Sequence, residues 1–450
     1  MKSLYLVNVN WHVFIGIALL LLFIPGINIY FFLALVLTLH QFLLLFYSIG
    51  YIIPIRYLFG SLMCLQMLLG PVLAYSFEGA KGMMQIPADE YFAYVLPAVI
   101  CFIIGLHISC KNLAGETIDL RVIGEYFRVY KTMPFIFIVL GFIASFISGM
   151  FSSDLAFVFY LIGGLKFIGV FMIIVSSNQI KIIPLVIVYS SVIISSLNNA
   201  MFHDLVTWLI FLGIFYCIQY KPSINIKLVG IFLFVIFAIV LQSIKKDYRQ
   251  ATWEQNQNAN LQTLSNVYEQ TEAKSGFFNS KDLIQNITRI NQGFIITNIM
   301  KTVPDVVPFS EGEQLRQILT AAILPRIIAP NKLTAGNQDI YKKYTGMQLR
   351  KGTSMALSSI GDAYINFGII GGCVFMFTLG LLYSESLKLF NRYSKYFPIL
   401  LLFTPLVFYY PIRPDCELQT ILGHFVKSIF LIFIIFLIWK KQFLFRFSRS

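Results

Sequence analysis

The sequence predicts an all-α polytopic membrane protein with about twelve transmembrane helices and one large loop outside the cytoplasm. Of its 450 residues, 58% are hydrophobic and only 12% are charged. The mean hydropathy is +0.76, so the chain has too little polar surface to cover a soluble globule of this length. The apolar residues also fall in runs close to the length of about 20 residues that spans a bilayer core as a helix.

The apolar runs place each span, with shorter runs accepted where side chains at the helix ends snorkel. The predicted spans are 5–24, 29–49, 57–77, 91–108, 133–150, 155–175, 182–197, 205–218, 228–241, 364–382, 398–410 and 421–439. They predict three parts. These are an N-terminal bundle of about nine helices (1–244), a loop with amphipathic helices (245–362), and about three C-terminal helices with a basic tail (363–450).

The orientation follows from the short connections, because short cytoplasmic loops retain an excess of Lys and Arg. Basic residues fall on one side, at Lys2, Arg56, 111–131, Lys181, Lys221, Lys227, Lys388, Arg392 and the tail from Lys440. The connections 25–28, 151–154 and 198–204 of the other side carry almost none. We therefore expect a multi-pass protein of the bacterial inner membrane, with both termini cytoplasmic and the 245–362 segment outside.

The formal charge of +13 does not predict a nucleic-acid partner, because the basic residues form no run with interleaved aromatic residues. Five of the six cysteines lie in or beside apolar runs, and Cys416 has no evident partner, so neither a disulfide nor a metal site is expected. No glycine-rich phosphate loop or metal-binding motif is present, and no cofactor is predicted.

The long loop has predicted structure of its own. The polar stretch 255–280 is typical of a flexible or weakly helical segment. From Asp282 onwards apolar residues recur at helical spacing, which predicts an amphipathic helix that lies on the membrane or packs against the bundle. A second helix is predicted at 314–324, followed by a polar, loop-like stretch at 334–350.

The loop is also rich in cations that suit phosphate or carboxylate, since guanidinium groups bind such anions with two parallel hydrogen bonds. The binding candidates are Arg249, Arg289, Arg326, Lys332, Arg350, Lys351 and, between the last two spans, Arg413. For any one of them, a solvated surface charge is the alternative. Prolines fix the backbone around Arg326 and around Arg413, with Asp415 close enough to orient the latter, although a simple turn also explains that pattern.

Further candidates lie at the ends of predicted spans or within them. His424 and Lys427 are three residues apart and share one face of the last span, and Lys166 falls near the middle of the sixth. Ionisable groups at such depths are costly unless they are paired or hydrated, which makes them functional candidates. His203 with Asp204, in a short outer connection, forms a candidate acid–base pair, with an unengaged loop histidine as the alternative.

Three strings carry a family resemblance: Pro304-Asp-Val-Val-Pro-Phe-Ser-Glu-Gly312, Leu324-Pro-Arg-Ile-Ile-Ala-Pro-Asn-Lys332 and Ser359-Ile-Gly-Asp-Ala-Tyr-Ile-Asn-Phe-Gly-Ile-Ile-Gly371. Together with the overall plan of spans, they resemble the Wzy-type polymerases of O-antigen, capsule and related repeat-unit polysaccharides. The motifs cover about a fifth of the chain. The resemblance implies a GT-C-like architecture of lipid-linked glycan transferases.

The resemblance also implies an activity, substrates and partners. Such an enzyme transfers a growing glycan from its undecaprenyl-diphosphate carrier to a new lipid-linked oligosaccharide, on the outer leaflet of the bilayer. A chain-length regulator and a flippase are its expected partners. Arg326, Arg350, Lys351 and Arg413 would bind the diphosphate, while Asp362, then Asp415, would be the catalytic base. Asp362 could instead cap the tenth span.

One departure from the family concerns the connection at 197–203, where members often carry an arginine and this chain has none. His203 is the possible substitute there. An O-antigen ligase of the same architecture is a second hypothesis. A lipid-linked oligosaccharide flippase or transporter is a third, although it should have short loops and internal symmetry. A polysaccharide-assembly subunit without activity is a fourth.

Overall fold

The computed structural model of the protein describes residues 9–24, 26–77, 82–109, 117–151, 153–176, 181–255, 257–275, 290–324, 326, 328–350 and 353–443. Throughout these residues the chain folds into helices and connecting loops, without a β-strand. The all-α class predicted from composition is therefore confirmed.

The chain before residue 255 forms mostly long apolar helices. In order they are α1 (Trp11–Leu21), α2 (Ile29–Ser48), α3 (Ile55–Ser76), α4 (Ala88–Ile108), α5 (Leu120–Val129), α6 (Met133–Ser148), α7 (Ser153–Gly163), α8 (Leu165–Ser176), α9 (Ile182–Asn199), α10 (His203–Tyr220) and α11 (Ile224–Arg249).

The rest of the chain alternates short helices with two long ones. They are α12 (Leu261–Ser275), α13 (Gly293–Thr302), α14 (Glu313–Ile323), α15 (Gln338–Thr345), α16 (Ser358–Ser394), α17 (Pro398–Phe408), α18 (Leu418–Ile438) and α19 (Lys440–Phe443).

Within the described ranges, nine helices are long and apolar enough to cross a membrane, with Ala156–Ser176 of α7 and α8 counted as one. The pair α5 and α6, bent by 82°, would make ten if it forms a single span. The first and eleventh predicted spans correspond to α1 and α17, which are shorter apolar helices. The chain is thus a polytopic membrane protein, with nine or ten spans by length where the sequence predicted about twelve.

The tightest helix pair joins α4 to α16. A side chain on Gly105 would come within 2.2 Å of the Phe377 carbonyl oxygen, and one on Gly380 within 2.3 Å of the Phe102 carbonyl oxygen. The two backbones are therefore in direct contact, as small residues allow between membrane helices. This contact anchors α16, whose first turns carry the predicted base Asp362.

A break at Gly368 divides α16. Its φ of 63° and ψ of −157° belong to a region that only glycine adopts readily. The Phe309 ring packs against this point, and the Ser310 amide donates to the Ile365 carbonyl at 2.8 Å. The predicted tenth span, 364–382, runs across this break, and the predicted boundary at 362 falls inside the helix.

Helix α13 is inserted into the bundle against α3 and α4. Its first residue, Gly293, lies so close to Pro71 and Tyr91 that a side chain there would overlap both. Just before it, the Gln292 amide donates to the Gln66 carbonyl at 3.1 Å, within a π-helical turn of α3. Of the two arrangements predicted for an amphipathic helix here, the described part packs against the bundle. The predicted start at Asp282 lies outside the described residues.

The other helices of the long segment differ in how well they were predicted. Helix α14 confirms the prediction at 314–324 to within one residue at each end. The stretch 255–280, predicted as flexible or weakly helical, contains α12. The prediction of a loop at 334–350 was wrong, because the Asn337 side chain caps α15 and Gly346 ends it with a positive φ.

Candidate functional site

Connections that were predicted to share one side of the membrane meet at one end of the bundle. The Arg249 Nε donates to the Ala200 carbonyl at 3.0 Å, which joins the end of α11 to the connection before α10. The Gly336 amide donates to Glu417 at 2.7 Å, which joins the long segment to the connection before α18. The long segment and these two short connections therefore surround a common site.

At this site, His203 is held by a carboxylate. Its Nε2 lies 2.9 Å from Oδ1 of Asp204, and the same oxygen accepts the Tyr409 hydroxyl at 2.5 Å. About 36% of the His203 side chain remains exposed. The arrangement orients an accessible imidazole with a carboxylate that is itself hydrogen-bonded, as in general acid–base sites.

Arg413 lies beside this pair. It acts electrostatically on Asp204, as His203 does on Asp415. The Arg413 Nη2 donates to Asp415 Oδ2 at 3.4 Å, and its guanidinium lies 5.4 Å from the centre of the Tyr410 ring. Its Nη1 nitrogen is buried and has no hydrogen-bond partner. An unsatisfied donor on a fixed cation is costly unless an anion or water completes it.

The pKa values outside the spans support an ionised pair. Burial alone would raise the pKa of Asp415, but the neighbouring Arg413 holds that pKa below the usual range. Burial would likewise lower the pKa of Arg413, yet Asp415 raises it well above its ordinary value. Both groups therefore stay charged at neutral pH. We refer to His203, Asp204, Tyr409, Arg413 and Asp415 as the Arg413 cluster.

The two candidates on the last span lie directly behind this cluster. His424 is 1% exposed, and its ring centre lies 4.9 Å from that of Tyr410. Lys427 places its ammonium 4.6 Å from the centre of the Phe157 ring. Both residues therefore support the aromatic wall of the site, and His424 is too buried to meet a substrate in this conformation.

The predicted base Asp362 lies in a different setting. It is 3% exposed, and its Oδ1 accepts the Gln314 side-chain amide at 2.7 Å. The Asn366 amide in turn donates to Gln314 Oε1 at 2.6 Å, while Asn366 Oδ1 accepts the Leu315 amide at 3.0 Å. This closed network fastens α14 to α16. Asp362 is also not the N-cap of α16, because the helix begins at Ser358.

A comparison with protein-family models finds one described as a domain of unknown function, DUF8712, which matches residues 75–444. The chain belongs to the DUF8712 family. A comparison with curated proteins finds no match, and neither does one with solved structures. The matched range, residues 75–444, contains the whole Arg413 cluster and the Asp362 network.

The remaining cation candidates of the DUF8712 chain are spread over its surface. Lys332 donates to the carbonyls of Ala321 and Leu324, at 3.2 and 2.6 Å, and so caps the end of α14. The Arg249 guanidinium lies 4.7 Å from the centre of the Trp253 ring. Arg326 is half-buried in the turn after α14, and Arg350 is exposed. Arg289 and Lys351 lie outside the described residues.

Lys166, predicted to lie inside a span, is satisfied locally. It follows the break between α7 and α8, where its Nζ donates to Ser145 Oγ at 3.3 Å. The rings of Phe142 and Phe167 lie within 5.5 Å of the ammonium. A hydrogen bond and two aromatic faces offset the cost of its charge.

Sequence reasoning did not select Tyr409 or Glu417 as site residues, although both belong here in the DUF8712 protein. Tyr409 reaches Asp204 from 205 positions along the chain, a distance that no local motif indicates. Burial raises the pKa of Glu417, which accepts the Gly336 amide and lines an open cleft beside Asp415. The signal that could have found Tyr409 and Glu417 is that both lie within four residues of Arg413 in the sequence.

Proposed function

We propose that this protein polymerises oligosaccharide repeat units linked through diphosphate to a polyprenol. The growing glycan would be transferred to a new lipid-linked unit at the outer face of the bacterial inner membrane, in the synthesis of O-antigen, capsule or exopolysaccharide. One observation carries the proposal: a guanidinium with a buried, unsatisfied nitrogen lies beside an exposed histidine that a carboxylate orients.

In the proposed reaction, a hydroxyl oxygen of the acceptor sugar attacks the anomeric carbon of the donor glycan. The bond from that carbon to the diphosphate oxygen breaks, and the lipid diphosphate leaves with the bonding electrons. His203 takes the proton of the attacking hydroxyl at Nδ1, since its Nε2 faces Asp204. The proton is then released to water or to the departing diphosphate.

Arg413 would stabilise the negative charge that develops on the leaving diphosphate, as fixed cations do in phosphate-transferring sites. Its position supports this role, because Asp415 and the Tyr410 ring hold the guanidinium while Nη1 keeps an unused hydrogen bond. Asp415 neutralises part of the positive charge of Arg413. Further cations, such as Arg326, would approach only with the bound lipid.

Among the three predicted catalytic residues, we favour His203 as the base over Asp362 and Asp415. Asp362 is enclosed and already accepts a side-chain amide. Asp415 is paired with Arg413, which lowers its pKa and weakens it as a base. His203 combines exposure with an orienting partner.

The position of the cluster supports a lipid-linked substrate. Arg413 and Asp415 precede α18, and His203 begins α10, so the cluster sits at the ends of two apolar helices. The prenyl chain would remain in the bilayer and the glycan in water. A chain-length regulator and a flippase would act beside the enzyme, and nucleic acid would have no role.

Replacing Arg413 with alanine tests the proposal in a polymer-producing strain. We expect the surface lipid to carry single repeat units in place of long chains, at normal protein level. Arg316→Ala is the matched control, because Arg316 is exposed and pairs with Glu313 on its own helix. It should leave the length distribution unchanged.

The same strain separates the alternatives after deletion of the gene. Single repeat units on the surface lipid support a polymerase. Surface lipid without any glycan would instead identify a ligase or a flippase. A full-length distribution in the Arg413→Ala strain would remove Arg413 from the mechanism.

The proposed orientation has its own test. A cysteine at Thr353, an exposed position of the long segment, should react in intact spheroplasts with a maleimide that cannot cross the membrane. Reaction only after the membrane is opened would place the segment, and with it the Arg413 cluster, in the cytoplasm.

A further inference from the structure

An open cleft adjoins the Arg413 cluster on the far side of Asp415. Its volume is about 420 Å³, within the range of about 300–1,000 Å³ that is typical of small-molecule sites. Its polar wall is formed by Gln292, Gly336, Ser354, Asp415, Glu417 and Thr420. Of these six residues, only Asp415 takes part in the proposed reaction.

The chemistry of the wall favours a polyhydroxylated ligand. Carboxylates accept hydrogen bonds from hydroxyl groups strongly, while an amide and two hydroxyls can both donate and accept. None of the described residues that line the cleft is a lysine or an arginine. Two carboxylates and no described cation in the wall favour a neutral or amino sugar over a phosphate.

Hydrogen bonds between the long segment and the start of α18 fix the walls of the cleft. The Gly336 amide donates to Glu417 Oε1 at 2.7 Å, and the Gln419 side chain donates to the Leu333 carbonyl at 3.0 Å. The Gln338 amide also bonds the carbonyls of Arg350 and Thr353. Two loops are thereby fixed to the start of α18, which lowers the entropy cost of binding.

We propose that this cleft binds the acceptor sugar, as a neutral or amino pyranose whose hydroxyls bond Asp415 and Glu417. The inference rests on the proposed function, because it assigns the second substrate of the same site. Asp415 is shared by the cleft and by the Arg413 pair, at 3.4 Å from the guanidinium. A sugar bound there presents a hydroxyl towards the diphosphate end of the donor.

The test uses the full chain in lipid nanodiscs, with methyl glycosides of glucose, galactose and N-acetylglucosamine as probes. Saturation-transfer NMR should detect at least one glycoside on the wild type. Ser354→Phe should abolish the signal, because Ser354 is exposed in the cleft wall and a ring fills the space. Ser386→Phe is the matched control, because Ser386 lies on α16 and does not line the cleft, and it should bind as the wild type does.

A second variant guards against misfolding of the first. Glu417→Gln keeps an oxygen for the Gly336 amide but removes the charge, and should weaken glycoside binding about tenfold, as expected for one charge-assisted hydrogen bond. Inorganic pyrophosphate, followed by phosphorus NMR, should still bind Ser354→Phe and should be lost in Arg413→Ala.

Three results would overturn the inference: no glycoside bound by the wild type, unchanged binding in both cleft variants, or displacement of the glycoside by pyrophosphate. The two proposals can fail separately. Surface lipid without any glycan in the deletion strain, with glycoside binding lost in Ser354→Phe, would leave a carbohydrate site without the polymerase. Single units in that strain with unchanged glycoside binding would leave the polymerase without this cleft.

Discussion

Two polar regions lie where the long segment meets the bundle, and they differ in how completely their groups are bonded. In the Asp362 network, the carboxylate is 3% exposed and accepts the Gln314 amide, whose own oxygen accepts from Asn366. In the Arg413 cluster, the Nη1 nitrogen has no partner and His203 stays 36% exposed.

This difference separates a structural role from a binding role. A closed network of buried polar groups holds elements in one arrangement, and each of its members is costly to remove. An oriented group that keeps an unused hydrogen-bonding position has more to gain from a ligand. The same residue types therefore point to different functions, and mutation should separate stability from activity at the two places.

The largest expected effect concerns the open cluster. His203→Ala should lower turnover of lipid-linked repeat units by about 10² to 10⁴, the contribution typical of a general base. The thermal midpoint of the purified protein should not change. His12→Ala, at an exposed position of α1, is the control. Turnover within about twofold of the wild type would remove His203 from the mechanism.

In the Asp362 network, a substitution should lower stability and leave turnover unchanged. Asp362→Ala leaves the Gln314 amide buried without its acceptor, which should cost about 1–3 kcal/mol of folding stability. Thermal unfolding in detergent measures this loss, and turnover per folded molecule should stay normal. Asp362→Asn retains an acceptor oxygen and should be milder. Normal stability with lost turnover would restore Asp362 as the base.

A smaller effect, the pH dependence of glycoside binding, should distinguish Glu417 from Asp415 in the cleft. Burial raises the pKa of Glu417, so this group loses its charge at a higher pH than an ordinary glutamate does. Glycoside binding should therefore weaken about tenfold as the pH falls through that raised pKa.

The neighbouring titratable groups are Asp415, Cys416 and Asp362. Asp415 should not contribute to this transition, because Arg413 lowers its pKa. The acid weakening should disappear in Glu417→Gln and persist in Asp362→Asn. An identical pH profile in wild type and Glu417→Gln would separate Glu417 from sugar binding.

The smallest effect is expected at Lys332, a cation from the substrate-binding prediction that belongs to neither region. It bonds two carbonyls at the end of α14, so Lys332→Ala should cost about 0.3–1 kcal/mol of stability and leave turnover unchanged. Thermal unfolding and a turnover assay measure the two quantities. A large drop in turnover at normal stability would show that Lys332 binds substrate.

The helical class and most span positions followed from the sequence, because hydrophobic run length is a local property that the bilayer imposes directly. Helix α14 also followed from local periodicity. The break at Gly368 did not, since an apolar run remains apolar across a change of backbone direction. The count of spans differed for the related reason that α1 and α17 are shorter than their apolar runs.

The candidate site was predictable only in part. His203 and Asp204 are neighbours in sequence, so their pairing was accessible, whereas the bond from Tyr409 to Asp204 joins distant parts of the chain. Arg413 and Lys332 are both basic residues near prolines. Only the fold reveals that backbone carbonyls surround Lys332 while one nitrogen of Arg413 is left unbonded.

The insertion of α13 has a consequence for how the protein is made. Gly293 packs against Pro71 and Tyr91, which the ribosome completes some two hundred residues earlier. Because chains emerge amino terminus first, α3 and α4 are made before the helix that packs between them, and the space that α13 fills stays empty until the later segment has been synthesised. Biogenesis therefore passes through a stage with an exposed crevice, at which a membrane chaperone would be most useful.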